Sequence, residues 1–352
     1  MISFQSFHFF QHSYLIFQKQ QSKLDKETQD LISMIFDSDM FNDQLKKFNI
    51  DTRKMPLGKL AKGQIAKGFE ALEEIEKAIK TGKTSKLNDL SSKFYTLIPH
   101  DFGRCVPPAI RTPEMVREKM DMLLVLGDIE AAQTMQKSSK GGKHPLDEKY
   151  EMLDCELTKV EKSDPQYKLL EKYTKNTHGA GKLLNIWKVD RKSEEKRFKV
   201  HEKEQNRKLL WHGTNVAVVA AILKSGLRIM PHSGGRLGRG IYFASEQAKS
   251  AGYVRPSQTR RAVMFLNEVV LGKEFSHTTG DCNLTKPPPG FQSIVGRGRR
   301  EPNPTADTVI DIDGKKVTVP QDRPINMQQW QNSGFWQSEY LVYQESQCRI
   351  RY

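Results

Sequence analysis

The chain has 352 residues, enough for about two or three domains at roughly 100–200 residues each. Its hydrophobic share of 37% and aromatic share of 9% can fill globular cores, while no run approaches the roughly 18 apolar residues a membrane span needs. With 56 Lys and Arg against 42 Asp and Glu, the formal net charge of +14 favours a polyanionic partner or an anionic ligand.

The opening MISFQSFHFFQHSYLIFQKQ is aromatic and apolar, but Gln and His interrupt it. It lacks a basic start and a small-residue cleavage site, so residues 1–22 read as an unassigned segment and not as a signal peptide. From Lys23 the spacing turns helical. Leu31, Ile32, Ile35 and Phe36 form one stripe; Ile65, Phe69, Leu72, Ile75 and Ile79 form a second that stops near Gly82. FYTLIPHDFGRCVPP, from Phe94, reads as a turn-rich connector. A further helix is expected after Pro113, carrying Val116, Met120, Leu123 and Leu124 on one face. These segments predict an all-helical bundle over residues 23–140.

QKSSKGGKHP, Gln136 to Pro145, has the small, polar, basic composition of a linker. Beyond it, over residues 144–352, short β-branched and aromatic runs follow one another: LLNIWKVD, KLLWHG, GIYFAS, AVMFLNEVVLG, TVIDIDGKKVTVP and EYLVYQ. Only two or three helices are expected among them, which argues an α+β region with a mostly antiparallel sheet. Cys105, Cys155, Cys282 and Cys348 lie far apart with no CxxC pair, which predicts reduced thiols, without a disulfide frame or a zinc site.

Two glycine-bearing stretches are set aside. TGKTSK contains GKT, but the glycine a phosphate-binding loop needs five positions earlier is Lys77. GRLGRG, from Gly235 to Gly240, has the wrong glycine order for a dinucleotide fingerprint and leads into a strand.

Three other stretches carry chemistry. LLWHGT ends a buried run in His212 and Gly213 just before an apolar helix, VAVVAAILKSG. A glycine there lets a ligand approach the backbone, and the imidazole can donate to a hydroxyl. RGIYFASEQAKSAGY holds Tyr242, Ser250 and Tyr253; the last two are three apart and would share a face of one helix. A hydroxyl beside an aromatic ring suits a planar amide-bearing heterocycle. In FWQSEYLVYQ, Glu339 shares a strand side with Leu341, opposite Tyr340 and Val342, and a carboxylate there is costly to bury unpaired. Each alone is compatible with ordinary packing.

Together and in this order, WHGT, GRGIYFASEQAKSAGY and SEYLVY resemble the His-Tyr-Glu signature of the poly(ADP-ribose) polymerases, the diphtheria-toxin-like ADP-ribosyltransferases. KMPLGKL, FYTLIPHDFG and LGDIE resemble that family's helical regulatory domain, and KNTHGAG resembles the start of its catalytic domain. The ending SEYLVYQESQCRIRY is most similar to the small, DNA-break-responsive branch. The resemblance implies a mostly antiparallel split sheet, NAD as co-substrate and no metal. It implies that Gly213 and Ser250 hold the nicotinamide amide, that the ring stacks on Tyr253 with Tyr242 opposite, and that His212, Thr214 and Arg228 contact the rest of the dinucleotide. Glu339 would bond the nicotinamide ribose and polarise the acceptor, making His212, Tyr242 and Glu339 the catalytic set. It also implies that Asp121, Leu124 and Asp128, on one helix face, cover the pocket, so that removing residues 23–140 raises basal activity. Acceptor proteins including the chain itself, a nuclear location and a response to DNA breaks follow from the same resemblance. No Trp-Gly-Arg DNA-sensing domain is expected in the first 22 residues, and the chain is expected to stop short of the family's last strand. Two other functions fit the sequence: an NAD-binding pseudoenzyme, and a basic nucleic-acid-binding module.

Overall fold

The computed structural model describes residues 21–137, 143–179, 181–229 and 234–352. Most of the expected N-terminal segment and the middle of the expected linker lie outside the described residues.

The first helix, α1 (Lys26–Ile35), starts where Asp25 accepts from the Thr28 backbone N–H, and buries Leu31, Ile32 and Ile35 as their spacing predicts. Asp37 caps α2 (Ser38–Lys47) in the same way. Helix α3 (Lys62–Lys80) buries Ile65, Leu72 and Ile75, and the chain leaves it through Gly82 at φ +70°. The supposed connector from Phe94 is only partly one. Phe94 to Leu97 close helix α4 (Leu87–Leu97), in which Leu87 and Phe94 are buried a helical period apart. Packing of this apolar face outweighs the nearby Pro and Gly signals, which act only from Ile98 onward. Helix α5 (Pro113–Lys137) begins on proline and buries Val116, Met120, Leu123, Leu126 and Ile129. It crosses α3 at Gly68, where a Cβ would stand 3.1 Å from the Leu123 side chain. Gln136 and Lys137, read as linker, are the last turn of α5, and Gln136 Nε2 donates to the Phe36 carbonyl at 2.7 Å.

The second half begins with α6 (Pro145–Met152), β1 (Glu156–Lys159), α7 (Pro165–Asn176), β2 (Trp187–Asp190) and α8 (Lys192–Phe198). Then come β3 (Arg207–Gly213), α9 (Val219–Ser225), β4 (Ile241–Phe243), α10 (Gln247–Ala251) and β5 (Met264–Val270). The rest is strand: β6 (Glu274–His277), β7 (Ser293–Gly296), β8 (Gly298–Pro302), β9 (Thr308–Ile312), β10 (Lys315–Val319), β11 (Pro324–Asn326), β12 (Phe335–Gln337), β13 (Glu339–Val342) and β14 (Cys348–Ile350). Among the described residues of this half there are five α-helices, α6 to α10, more than the two or three expected. The additional ones are short and are stabilised by packing on the sheets, which periodicity alone does not reveal.

A five-stranded sheet of order β14-β5-β3-β10-β9 adjoins a four-stranded sheet of order β4-β13-β7-β6. Pairing is mostly antiparallel, with parallel contacts at β3/β10, β6/β7 and β8/β12. The two sheets are stitched where Trp211 and Ala244 exchange backbone hydrogen bonds of 2.8 and 3.0 Å. That stitch brings the ends of β3 and β4 together. β13 is buried on both faces: Tyr340 and Val342 join the large core, while Leu341 packs with Leu237 and Phe335.

The bundle and the strand-rich half share one core, from Ile32, Leu123 and Leu126 through Val216 and Ile222 to Val295 and Tyr340. Polar ties reinforce the seam. Trp187 Nε1 donates to Thr28 Oγ1 at 3.0 Å, Asn215 Nδ2 to Gln44 Oε1 at 2.9 Å, and Lys159 pairs with Glu27 at 2.8 Å. All four cysteines are unpaired; Cys155 and Cys348 are buried, and burial pushes the Cys155 thiol up to about 12.

Candidate active site

Where β3, β4 and β13 end beside α10, a cleft of about 510 Å³ opens, walled on its outer side by α5. His212, Gly213 and Thr214 lie at the end of β3, and Tyr242 stands on β4. Ser250 comes from α10, Tyr253 from the turn after it, Glu339 from the start of β13, and Arg228 from the chain leaving α9. All eight residues implied by the resemblance therefore line one cleft.

Gly213 is required by close approach. A Cβ there would stand 1.9 Å from the Ser250 carbonyl oxygen, so only glycine lets β3 meet α10. Ser250 Oγ donates to the Trp211 carbonyl at 3.1 Å, locking the helix to the strand. Ser250 and Tyr253 do not share a helix. α10 ends at Ala251, and Tyr253 is reached through a turn in which its N–H donates to the Ser250 carbonyl at 3.1 Å. The turn leaves the Tyr253 ring 65% exposed at the cleft mouth, open to stacking.

His212 Nδ1 lies 2.9 Å from the Tyr242 carbonyl oxygen, which only accepts, so the proton is on Nδ1. Burial lowers the ring's pKa and keeps it neutral, with that hydrogen bond opposing. The free Nε2 is then an acceptor. That leaves Nε2 as the ring atom available to a ligand, where the sequence suggested a ring nitrogen donating to a hydroxyl.

The Tyr242 hydroxyl is spent within the protein, donating to the Gly238 carbonyl at 2.6 Å and accepting from the Leu237 N–H at 3.0 Å. Burial raises its pKa, so it stays protonated. The glycine-rich GRLGRG loop is thus the clamp that fixes this ring. Gly238, at φ +80°, passes so near Leu284 that a Cβ would be 1.9 Å from its carbonyl oxygen.

Glu339 is 6% exposed, and its Oε1 accepts from Lys249 Nζ at 2.7 Å. The ammonium compensates the buried carboxylate. Lys249 was not singled out from sequence, although it directly precedes Ser250. Its role emerges only when α10 and β13, ninety residues apart, meet.

Asp121, Leu124 and Asp128 of α5 line the outer wall. Asp128 Oδ1 accepts from Arg228 Nη2 at 2.6 Å, joining the bundle to the cleft. Burial pushes the Asp128 carboxyl up to about 6, with Arg228 pulling the other way. Burial likewise raises Asp121.

A split, mostly antiparallel sheet that gathers a histidine, a tyrosine and a glutamate around one cleft, with a helical bundle against it, is the architecture of the transferase class its motifs resemble. The chain belongs to the poly(ADP-ribose) polymerase family. The profile described as "Poly(ADP-ribose) polymerase catalytic domain" matches residues 164–352, and "Poly(ADP-ribose) polymerase, regulatory domain" matches residues 22–150. The chain is 53% identical over 335 residues to the protein mono-ADP-ribosyltransferase PARP3 of Gallus gallus, covering 94% of this chain and 64% of that relative. Against its Homo sapiens counterpart the identity is 52% over 347 residues, covering 95% and 65%. Poly [ADP-ribose] polymerase 1 of Gallus gallus is 38% identical over 346 residues, covering 94% and 34%. The chain therefore spans a little under two thirds of the length of these PARP3 relatives.

Proposed function

We propose that the chain is an NAD-dependent protein ADP-ribosyltransferase that moves ADP-ribose from NAD to Glu, Asp or Ser side chains, its own included, with release of nicotinamide. The observation that carries this reading is the convergence of His212, Tyr242 and Glu339 on a single cleft whose floor only Gly213 permits. The higher identity to relatives named mono-ADP-ribosyltransferases favours transfer of single units. A helical unit over residues 23–140 would gate a transferase unit over 144–352. A nuclear location and activation at DNA breaks belong to the same proposal, supported by the family membership and the +14 charge.

The residues fit NAD. The nicotinamide amide pairs with the Gly213 backbone and the Ser250 hydroxyl, its ring lies between Tyr253 and Tyr242, and His212 Nε2 accepts from the adenosine ribose. As the bond between the ribose carbon and the nicotinamide nitrogen lengthens, positive charge spreads over the ribose. Glu339 is positioned to stabilise that charge and to hold the ribose 2′-hydroxyl. Nicotinamide leaves with the bonding pair while the acceptor oxygen attacks the same carbon and gives up its proton to the Glu339 carboxylate, which passes it on to solvent. Lys249, which also lines the cleft, holds the Glu339 carboxylate in place, and the rest of the catalysis is positioning.

Glu339→Gln is the test. It keeps the shape of the cleft, so NAD binding should survive while nicotinamide release falls on the order of 10²-fold or more, by analogy with removing one preorganised electrostatic group. Near-parental release would overturn the assignment.

A further inference from the structure

The small sheet β11-β8-β12 has one buried and one open face. On the buried side Phe335 and Gly298 are enclosed, and Phe335 is 0% exposed. On the open side the alternation places Arg299 of β8 beside Trp336 of β12, and Ile325 of β11 is exposed as well, whereas Glu301, its partner in register, has its carboxylate covered against the Tyr340 hydroxyl. Trp336 is 54% exposed and Ile325 43%, although both are large and apolar. The Arg299 guanidinium lies 5.0 Å from the Trp336 ring centre and that of Arg300 5.9 Å.

The charges on this sheet are unequally spent. Arg300 faces Glu246 at 3.4 Å, Arg297 pairs with Glu274 at 2.6 Å, and Glu301 accepts from the Tyr340 hydroxyl at 2.5 Å. Arg299 is exposed and has no carboxylate partner among the described residues. Arg323, also exposed, precedes β11 with its carbonyl accepting from Asn303 at 3.2 Å, which puts it in phase with Ile325 and Arg299. The face thus presents a half-exposed indole on its edge strand β12, with the Arg299 guanidinium over the ring from the central strand and Arg323 toward the far edge, on a chain of net charge +14.

We propose that this open face is a docking surface for single-stranded nucleic acid. An exposed indole offers every base a stacking partner, and adjacent guanidinia meet the backbone phosphates; together they are the usual means of holding a strand without reading its sequence. An acidic peptide would use the arginines but gain nothing comparable from a half-exposed indole at the edge of the sheet. The face also adjoins the cleft, because Trp336 is three residues before Glu339 and so within about 10 Å of it along extended chain. The inference does not depend on NAD chemistry, and its test is run without NAD.

The whole chain is titrated against fluorescein-labelled oligo(dT), with anisotropy as the readout. Trp336→Ala and Arg299→Ser should each weaken binding on the order of tenfold. Trp336→Phe, which keeps an aromatic face, should recover most of the loss. Affinity should fall steeply with added salt. An equal-length duplex should bind more weakly, since its bases are not free to stack. Parental affinity in both weakened variants would overturn the proposal, as would absence of oligo(dT) binding by the parent. Displacement by poly-glutamate with the same dependence on Trp336 would overturn it in favour of an acidic peptide. Glu339→Gln should bind oligo(dT) like the parent, so failure of the transferase reading would leave this result readable.

Discussion

Gly213 and Asp128 show how single residues set the properties of the cleft. At Gly213 a methyl group would occupy the same space as the Ser250 carbonyl, 1.9 Å away, and backbone on both sides leaves little room to yield. Gly213→Ala should therefore lower unfolding free energy by about 1–3 kcal/mol and abolish NAD binding, read by thermal melting and calorimetric titration. Parental NAD affinity in that variant would mean the floor is not where we place it. Asp128 has the opposite character, a carboxyl held near pKa 6 because burial outweighs the help of Arg228. Its folded pKa exceeds its unfolded one, so the ionised form costs stability above about pH 6, and the cost is relieved as pH falls toward 4. Asp128→Asn removes this titration. The stability difference between parent and variant should shift toward the parent as pH drops from 7 to 4, by at most about 3 kcal/mol for roughly two units. A difference that stays flat in pH-dependent denaturant melts would contradict the buried ionised state. His212 and Glu339 could be singled out from sequence because WHGT and SEYLVY stand in the order of a family signature; a polar residue at a strand end is by itself compatible with ordinary packing. Lys249 could not, because its partner is distant in the chain.

Elements differed in how plainly they showed themselves. α1, α3 and α5 carry long apolar stripes, and β3, β5 and the β9/β10 hairpin carry runs of branched and aromatic residues, so local pattern and tertiary position agree. α4 was masked by the Pro and Gly residues that follow it, even though Leu87 and Phe94 face the core. β6, β7, β8, β11 and β12 escaped because each is three to five residues long and is held by neighbours more than by its own composition. α10 is five residues long and was extended too far, since its end at Ala251 is dictated by the turn that delivers Tyr253. The GRLGRG loop was correctly excluded as a dinucleotide fingerprint. Its work, clamping the Tyr242 hydroxyl, depends on a fold that brings Leu237 and Gly238 back over β4.

In the whole molecule, the bundle and the strand-rich half are joined by one continuous core, with Val216, Val218 and Ile222 packed beneath the helices. Removing residues 23–140, which the gating idea suggests, would also strip cover from those apolar side chains. A cleaner perturbation loosens the bundle from within. Leu72 is 0% exposed in α3, belongs to none of the cleft walls, and leaves a cavity when cut to alanine. Leu72→Ala should lower stability by about 2–5 kcal/mol. If α5 covers the cleft through Leu124 and the Arg228–Asp128 pair, a looser bundle samples the uncovered state more often. Basal nicotinamide release, measured without any activator, should then rise as thermal stability falls, with kcat and the apparent affinity for NAD improving together. A destabilised variant with unchanged basal release would show that the bundle stabilises the fold without guarding the site.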